Sequence, residues 1–266
     1  MLHGTAASGF RAEADELHGF LSTLGESDWA RPTTFQRWTP WDVVAHLHLY
    51  DQVSLASLAG AEAFAEERTR LVGRIAKGTT NAELARERYG ALGARELLAR
   101  WIAGARDLAA QLDATDAKRR LPWFGPDMGV RMFTTARLME TWAHGQEVYD
   151  LRRVERTHTD RLKHIAEIGV RTFAWAFVNR RLEVPGAPPY VRLVAPSGAI
   201  WEWNEPSETS RVAGTAVDFC RTVTQVRNVS DTSLEVVGGV AQRWMAIAQC
   251  FAGGAADPPK PGERYS

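Results

Sequence analysis

The sequence predicts a mainly α protein, a four-helix bundle followed by a small α+β C-terminal domain. Three observations carry that expectation. Apolar residues recur at helical spacing in four long segments over roughly the first 150 residues. A Pro/Gly cluster, Pro185-Gly186-Ala187-Pro188-Pro189, then interrupts the pattern. Beyond it come short runs of large apolar residues, of strand length. The expected division is residues 1–155 for the bundle, 156–252 for the α+β domain and 253–266 for a flexible tail.

The elements follow in order. Ala12 to Leu24 carries Leu17, Phe20, Leu21 and Leu24 as a helical stripe, and a loop runs on from Gly25 to Arg37. Thr39 as N-cap, Pro40 at the first helical position and Asp42 three residues after the cap mark the start of a helix to about Leu58. A long third helix spans Asn81 to Leu112, weakened or broken midway by Gly90 and Gly93. Leu121 to Pro126 reads as a loop, and a fourth helix runs from near Met128 to about Leu151. A further helix covers Leu162 to Phe177. Tyr190–Val194 and Ile200–Trp203 read as strands joined by a hairpin turn at Pro196-Ser197-Gly198. Ser233 to Val237 is a third short strand; Ala216 to Val226 and Val240 to Phe251 read as helices. The tail from Gly253 is Gly/Pro-rich and carries no periodic pattern.

Composition narrows the function. Formal net charge is zero, with 32 basic and 32 acidic residues, so nothing points to nucleic acid or an anionic membrane surface. Hydrophobic residues make up 45% of the chain, enough for a substantial core, yet none of its apolar runs has the length of a membrane span. The start, Met1-Leu2-His3-Gly4-Thr5, lacks the basic and apolar regions of a signal peptide. Cys220 and Cys250 sit among apolar residues, read as small core residues, and form neither a disulfide framework nor a closely spaced ligand pair. The expectation is a soluble cytoplasmic protein acting on a small molecule, with its oligomeric state open.

One constellation carries chemistry. Glu140-Thr141-Trp142-Ala143-His144 puts a carboxylate and an imidazole one turn apart on a single helix face. His46 lies on another helix, in Val43-Val44-Ala45-His46-Leu47. Two imidazoles and a carboxylate can hold a divalent metal while leaving coordination positions open for catalysis. The plain alternative is a solvated Glu–His pair and a hydrogen-bonded core histidine. His48 competes with His46 but lies about 200° round the helix, so both do not face one metal. No His-Glu-x-x-His, Walker or Gly-x-Ser-x-Gly motif is present.

Trp38-Thr39-Pro40-Trp41-Asp42-Val43-Val44-Ala45-His46-Leu47 resembles the opening motif of the DinB-like superfamily. Arg137-Leu138-Met139-Glu140-Thr141-Trp142-Ala143-His144-Gly145 resembles the second motif of its mycothiol-dependent maleylpyruvate isomerase branch. The resemblance extends over most of the chain and is strongest to an uncharacterised actinobacterial metal-binding subgroup. It implies a DinB-like bundle with His46, Glu140 and His144 as metal ligands. It also implies mycothiol, a low-molecular-weight thiol, as co-substrate, and an Arg in the C-terminal domain for an anionic substrate group. That Arg is Arg227, with Arg221 as a rival and a solvated surface Arg as the simpler alternative.

The chemistry implied is a metal-bound thiolate that adds to a small electrophile, as S-transferase or isomerase. Zinc is the default metal; nickel, iron or manganese accept similar ligands. Two other readings stand beside it: a hydrolase using metal-bound water, and a non-catalytic metal- or ligand-binding protein. Trp38, Trp41, Trp123 and Trp142 line a pocket mouth or simply pack the core. Arg137 is placed to pair with Glu140, and His164 faces either the interior or solvent.

Overall fold

The computed structural model describes residues 5–264, so Met1–Gly4 of the expected non-signal start and the last two residues of the tail lie outside the described residues. The chain forms two compact units, Met1–Leu151 and Arg152–Ser266. Among the described residues no helix is long and apolar enough to cross a membrane.

The first unit is the four-helix bundle. Helix α1 (Ala6–Leu21) is capped by Thr5, whose side chain accepts from the Ser8 amide. It starts six residues before the expected Ala12, because the cap rather than the first large apolar residue sets the start. A short 3-10 turn, Glu26–Ala30, follows. Helix α2 (Pro40–Ala59) begins with the expected capping box: Asp42 Oδ2 accepts from the Thr39 amide at 2.9 Å, and Thr39 Oγ1 accepts from the Asp42 amide. Fourteen of its twenty residues are buried, which makes it the central element and explains why its sequence shows no clean stripe. Helix α3 (Ala61–Ile75) was not expected; only Phe64 and Leu71 are buried on it, too narrow a stripe to read among its charges.

The expected long third helix is two helices. Helix α4 (Asn81–Tyr89) and helix α5 (Ala94–Ala114) are separated at Gly90–Gly93. A side chain at Gly90 would meet the Arg86 carbonyl at 2.5 Å, and Gly93 takes an extended N-cap conformation. Strands β1 (Arg120–Leu121) and β2 (Met128–Gly129) form an antiparallel hairpin that carries the Trp123–Phe124 loop. That pairing takes up Met128, so helix α6 (Val130–Arg152) starts two residues later than expected. Helix α5 packs on α1 and α2, and α2 also carries α3 and α4. Helix α6 comes close to α1 at Gly145, where an added Cβ would stand 3.1 Å from the Leu17 methyls.

The second unit is α+β. Helices α7 (Leu162–Arg171) and α8 (Phe173–Val178) divide the expected single helix at Thr172. Strands β3 (Tyr190–Val194) and β4 (Ile200–Trp203) form the expected hairpin, with Gly198 at φ 85° in its turn. Strand β5 (Arg211–Thr215) was missed: its one buried large side chain is Val212, so it becomes a strand only by pairing parallel to β3. Helix α9 (Ala216–Val223) ends before the expected Val226, and Gln225 adopts φ 57°. A 3-10 turn (Val229–Asp231) leads to strand β6 (Glu235–Val237) and helix α10 (Gly239–Met245), which stops six residues short of Phe251. The sheet order is β4-β3-β5-β6. From Gly253 to Arg264 there is no helix or strand beyond turns. Hydrogen bonds nonetheless join this segment to its own unit, among them Gln225 Nε2 to Ala256 O at 2.7 Å and Asn228 Nδ2 to Pro259 O at 2.8 Å.

A buried ion pair ties α6 to α2. Arg137 Nε donates to Asp51 Oδ1 at 3.0 Å, and Trp101 Nε1 donates to the other carboxylate oxygen at 3.1 Å. Asp51→Ala leaves the Arg137 charge buried and unpaired. It is expected to lower unfolding free energy in urea by about 3–5 kcal/mol, and Asp51→Leu with Arg137→Met is expected to recover most of that loss.

Candidate metal centre

The first unit brings His46, Glu140 and His144 together. Helix α2 supplies His46; α6 supplies the other two from one face. Each offers one donor atom, and all three atoms lie within 4.8 Å of one another. Glu140 Oε2 is 3.5 Å from His46 Nε2 and 3.3 Å from His144 Nε2. No other such group of three occurs among the described residues. His46 is buried, at 5% exposure, yet neither of its ring nitrogens has a hydrogen-bond partner. A buried imidazole with both nitrogens unpaired is costly, and a cation at the shared vertex would satisfy one of them. The donor set therefore fits a divalent metal.

Protonation states agree with that fit. Burial, helped by the charge of His144, pushes His46 down to about 4, so it is neutral near pH 7. Burial alone would raise Glu140. The nearby His144 and His46 imidazoles outweigh it and hold the carboxyl well below the usual range. Neutral imidazole and ionised carboxylate are the forms that bind metal.

Aromatic rings surround the trio. Trp38 stacks on His144, with centroids 5.2 Å apart and planes at 13°, and lies 5.0 Å from His46. Phe35 meets His144 edge-on at 5.3 Å. Both come from one tight turn: the Trp38 amide donates to Phe35 O at 2.8 Å, and Gln36 and Arg37 between them have φ 47° and 60°. Two consecutive positive φ values on residues other than Gly or Asn are unfavourable. The turn is held by its flanks, where the Thr33 amide donates to Trp38 O at 2.7 Å. Tyr50, one turn after His46, places its ring 4.9 Å from that imidazole.

The remaining expectations sort cleanly. Trp38 touches the trio. Trp41 instead donates to Leu92 O, Trp142 is buried in the core, and Trp123 packs on Phe64 and Phe133. Arg137 does not pair with Glu140: its guanidinium turns to Asp51 and reaches Leu47 O at 3.5 Å. His48 faces the other side of α2, against Tyr89 at 4.8 Å, and burial with the Arg88 and Arg100 charges lowers it to about 4. In the second unit His164 and Arg227 are both buried, so a solvated surface placement holds for neither. Arg227 Nη1 donates to Val226 O at 3.0 Å, while Arg221 lies on α9 at 3.9 Å from Asp218. Cys220 and Cys250 are buried free thiols, and burial pushes Cys220 up. Tyr50 and Phe35 were missed; the spacing of Tyr50, four after His46, is the signal that could have found it.

Residues 10–149, more than half the chain, match the family described as the mycothiol maleylpyruvate isomerase N-terminal domain. The chain belongs to this family. It is 40% identical over 252 residues to an uncharacterised protein of Mycobacterium tuberculosis strain CDC 1551 / Oshkosh, covering 94% of this chain and 96% of that one. An uncharacterised protein of strain ATCC 25618 / H37Rv matches with the same figures. A crystal structure of the mycothiol-dependent maleylpyruvate isomerase aligns at TM-score 0.49 and 14% identity, over 82% of this chain and 86% of that chain. A mutant of that isomerase aligns at TM-score 0.48 and 16% identity.

The lowered His46 makes the metal-free chain acid-sensitive. Below its ordinary value of 6.5 the unfolded chain takes up a proton that folded His46 refuses until about 4. Stability therefore falls as pH drops from 6.5 to 4, by on the order of 3 kcal/mol for this group alone. His48 acts in the same direction. Chelator-treated protein is expected to show a falling urea midpoint over that window, with a shallower slope in His46→Gln.

Proposed function

We propose that the protein is a metal-dependent enzyme that uses a low-molecular-weight thiol of the mycothiol kind on a small electrophile, as isomerase or S-transferase. The observation that carries this reading is the convergence of three donor atoms within 4.8 Å around an imidazole whose nitrogens lack partners. Membership of the family supports the thiol. His46, Glu140 and His144 would hold the metal. When bound there, a divalent metal lowers the pKa of a thiol to give a thiolate near neutral pH.

The chain's own residues do the rest. Glu140 stays ionised and His46 neutral, so these two donors need lose no proton near pH 7. Trp38 and Phe35 pack against the imidazoles, fix their rings and keep water from that side. The buried Asp51–Arg137 pair holds the two donor helices in register. Arg227, a buried cation of the second unit, is assigned to an anionic group of the substrate. In the reaction the thiol sulfur bonds to one carbon of an activated double bond and the neighbouring carbon takes the proton. Retaining that adduct is transfer; rotation followed by loss of the same thiol is isomerisation. No cysteine of the protein takes part, in keeping with the burial of both.

Elemental mass spectrometry is expected to find about one metal per chain in wild type and a loss in His46→Ala, Glu140→Ala and His144→Ala. Wild type that takes up no stoichiometric metal on reloading would sink the reading. Arg227→Ala is expected to keep the metal while raising KM for a carboxylate-bearing electrophile by roughly tenfold or more, the scale of a lost charge-assisted hydrogen bond.

A further inference from the structure

A cavity of about 170 Å³ opens in the first unit and shares no lining residue with the trio. It lies between α1, the Glu26–Ala30 turn and α5, and α1 packs on α5. Leu21, Leu24, Trp29 and Leu98 line it with buried apolar side chains. Ala99 lines it too but is exposed, so the cavity is open to solvent on that side. Trp29 is held by its own turn, where the Gly25 amide donates to Asp28 Oδ2 at 3.1 Å and Arg31 Nη1 donates to Asp28 Oδ1 at 3.2 Å.

The polar side chains at this cavity favour one sign of charge. His18, in the last turn of α1, and Arg95, in the first turn of α5, both line it, and no carboxylate does. Neither of these two side chains has a hydrogen bond or ion pair among the described residues. The nearby acids are already engaged: Glu96 accepts from Arg100 at 2.8 Å, and Asp28 accepts from Arg31. The Ser22 hydroxyl turns back to its own helix and donates to His18 O at 2.7 Å. A guanidinium offers a carboxylate a planar fork of donors. Apolar lining with a few polar groups at one edge is the arrangement that orients a small amphiphilic ligand. Size narrows the class further. A dry apolar cavity of about 150 Å³ holds one benzene ring, so this one suits a single ring and not a fused system.

We propose that this cavity is an accessory binding site for a one-ring aromatic carboxylate, its ring against Trp29 and the leucines and its carboxylate on Arg95 and His18. The site stands independently of the metal–thiol reading. The probe is benzoate, titrated into the nitrogen-15-labelled, metal-loaded full chain and followed by amide and indole chemical shifts. A ligand of this size is expected to bind in roughly the millimolar range, with the largest shifts at the Trp29 indole N–H and the amides of residues 94–99. Benzamide has the same shape without the charge, and acetate has the charge without the ring. Each is expected to bind this site at least about tenfold more weakly, the scale of a charge-assisted hydrogen bond and of a buried ring respectively. Arg95→Gln is expected to lower benzoate to the benzamide level and to leave benzamide unchanged. Ala99→Trp, made at an exposed helix position, fills the cavity and is expected to abolish the shifts, with metal content and the rest of the spectrum unchanged. Three results would overturn the proposal: no saturable shift at Trp29, as when benzoate moves only the amides around His46, Glu140 and His144; equal affinity for benzoate and benzamide; or Trp29 shifts that survive Ala99→Trp in folded protein.

Discussion

The ion pair between Asp51 and Arg137 is the contact on which the donor trio depends. Asp51 lies five residues after His46 on α2, and Arg137 three before Glu140 on α6. Both side chains are almost wholly buried. A buried pair of this kind contributes little net stability against an apolar replacement, but it tolerates no slippage, because moving either helix by one turn would strand a charge. Arg137 also reaches the Leu47 carbonyl, directly next to His46 in the chain. The same guanidinium thus fixes the register that sets His46 opposite Glu140 and His144.

Burial acts on the trio in two opposed ways. It removes water from His46 and drives that imidazole to the neutral form. At Glu140 it would favour the protonated form, and the two imidazoles reverse that outcome. The result is a neutral His46 beside an ionised, partly exposed Glu140, both states set by packing. An unpaired buried imidazole is a cost the fold carries, and sites of this kind are where local rules are expected to be broken for function.

The turn at Phe35–Trp38 is a second instance. Its central residues, Gln36 and Arg37, have left-handed φ values that Asn-Gly would adopt with less strain. The hydrogen bond across the turn holds Phe35 and Trp38 close together, and both rings meet His144. Backbone strain and aromatic packing therefore meet at the same imidazole.

The sequence by itself determined the bundle, the α+β character of the second unit, the Thr39 cap, the β3–β4 hairpin and the pairing of Glu140 with His144 on one helix face. Each rests on signals that are local: a cap and a proline, a period, a Glu and a His one turn apart. The motif resemblance then joined His46 to that pair. Tertiary structure decided what has no local signal. Arg137 had a plausible partner one turn away in Glu140, and only the packing of α6 on α2 offered it Asp51, a fully buried carboxylate that needs a cation more. Helix α3 has two buried residues and β5 one buried large residue, so neither shows a period until its neighbours cover it. The Asn81–Leu112 segment divides at Gly90 and Gly93, the glycines that the sequence marked as weakening or breaking it, and the fold decided that the outcome is a full break. The ring contact between Tyr50 and Phe124 joins α2 to a distant loop, and such a pairing exists only once the chain is folded.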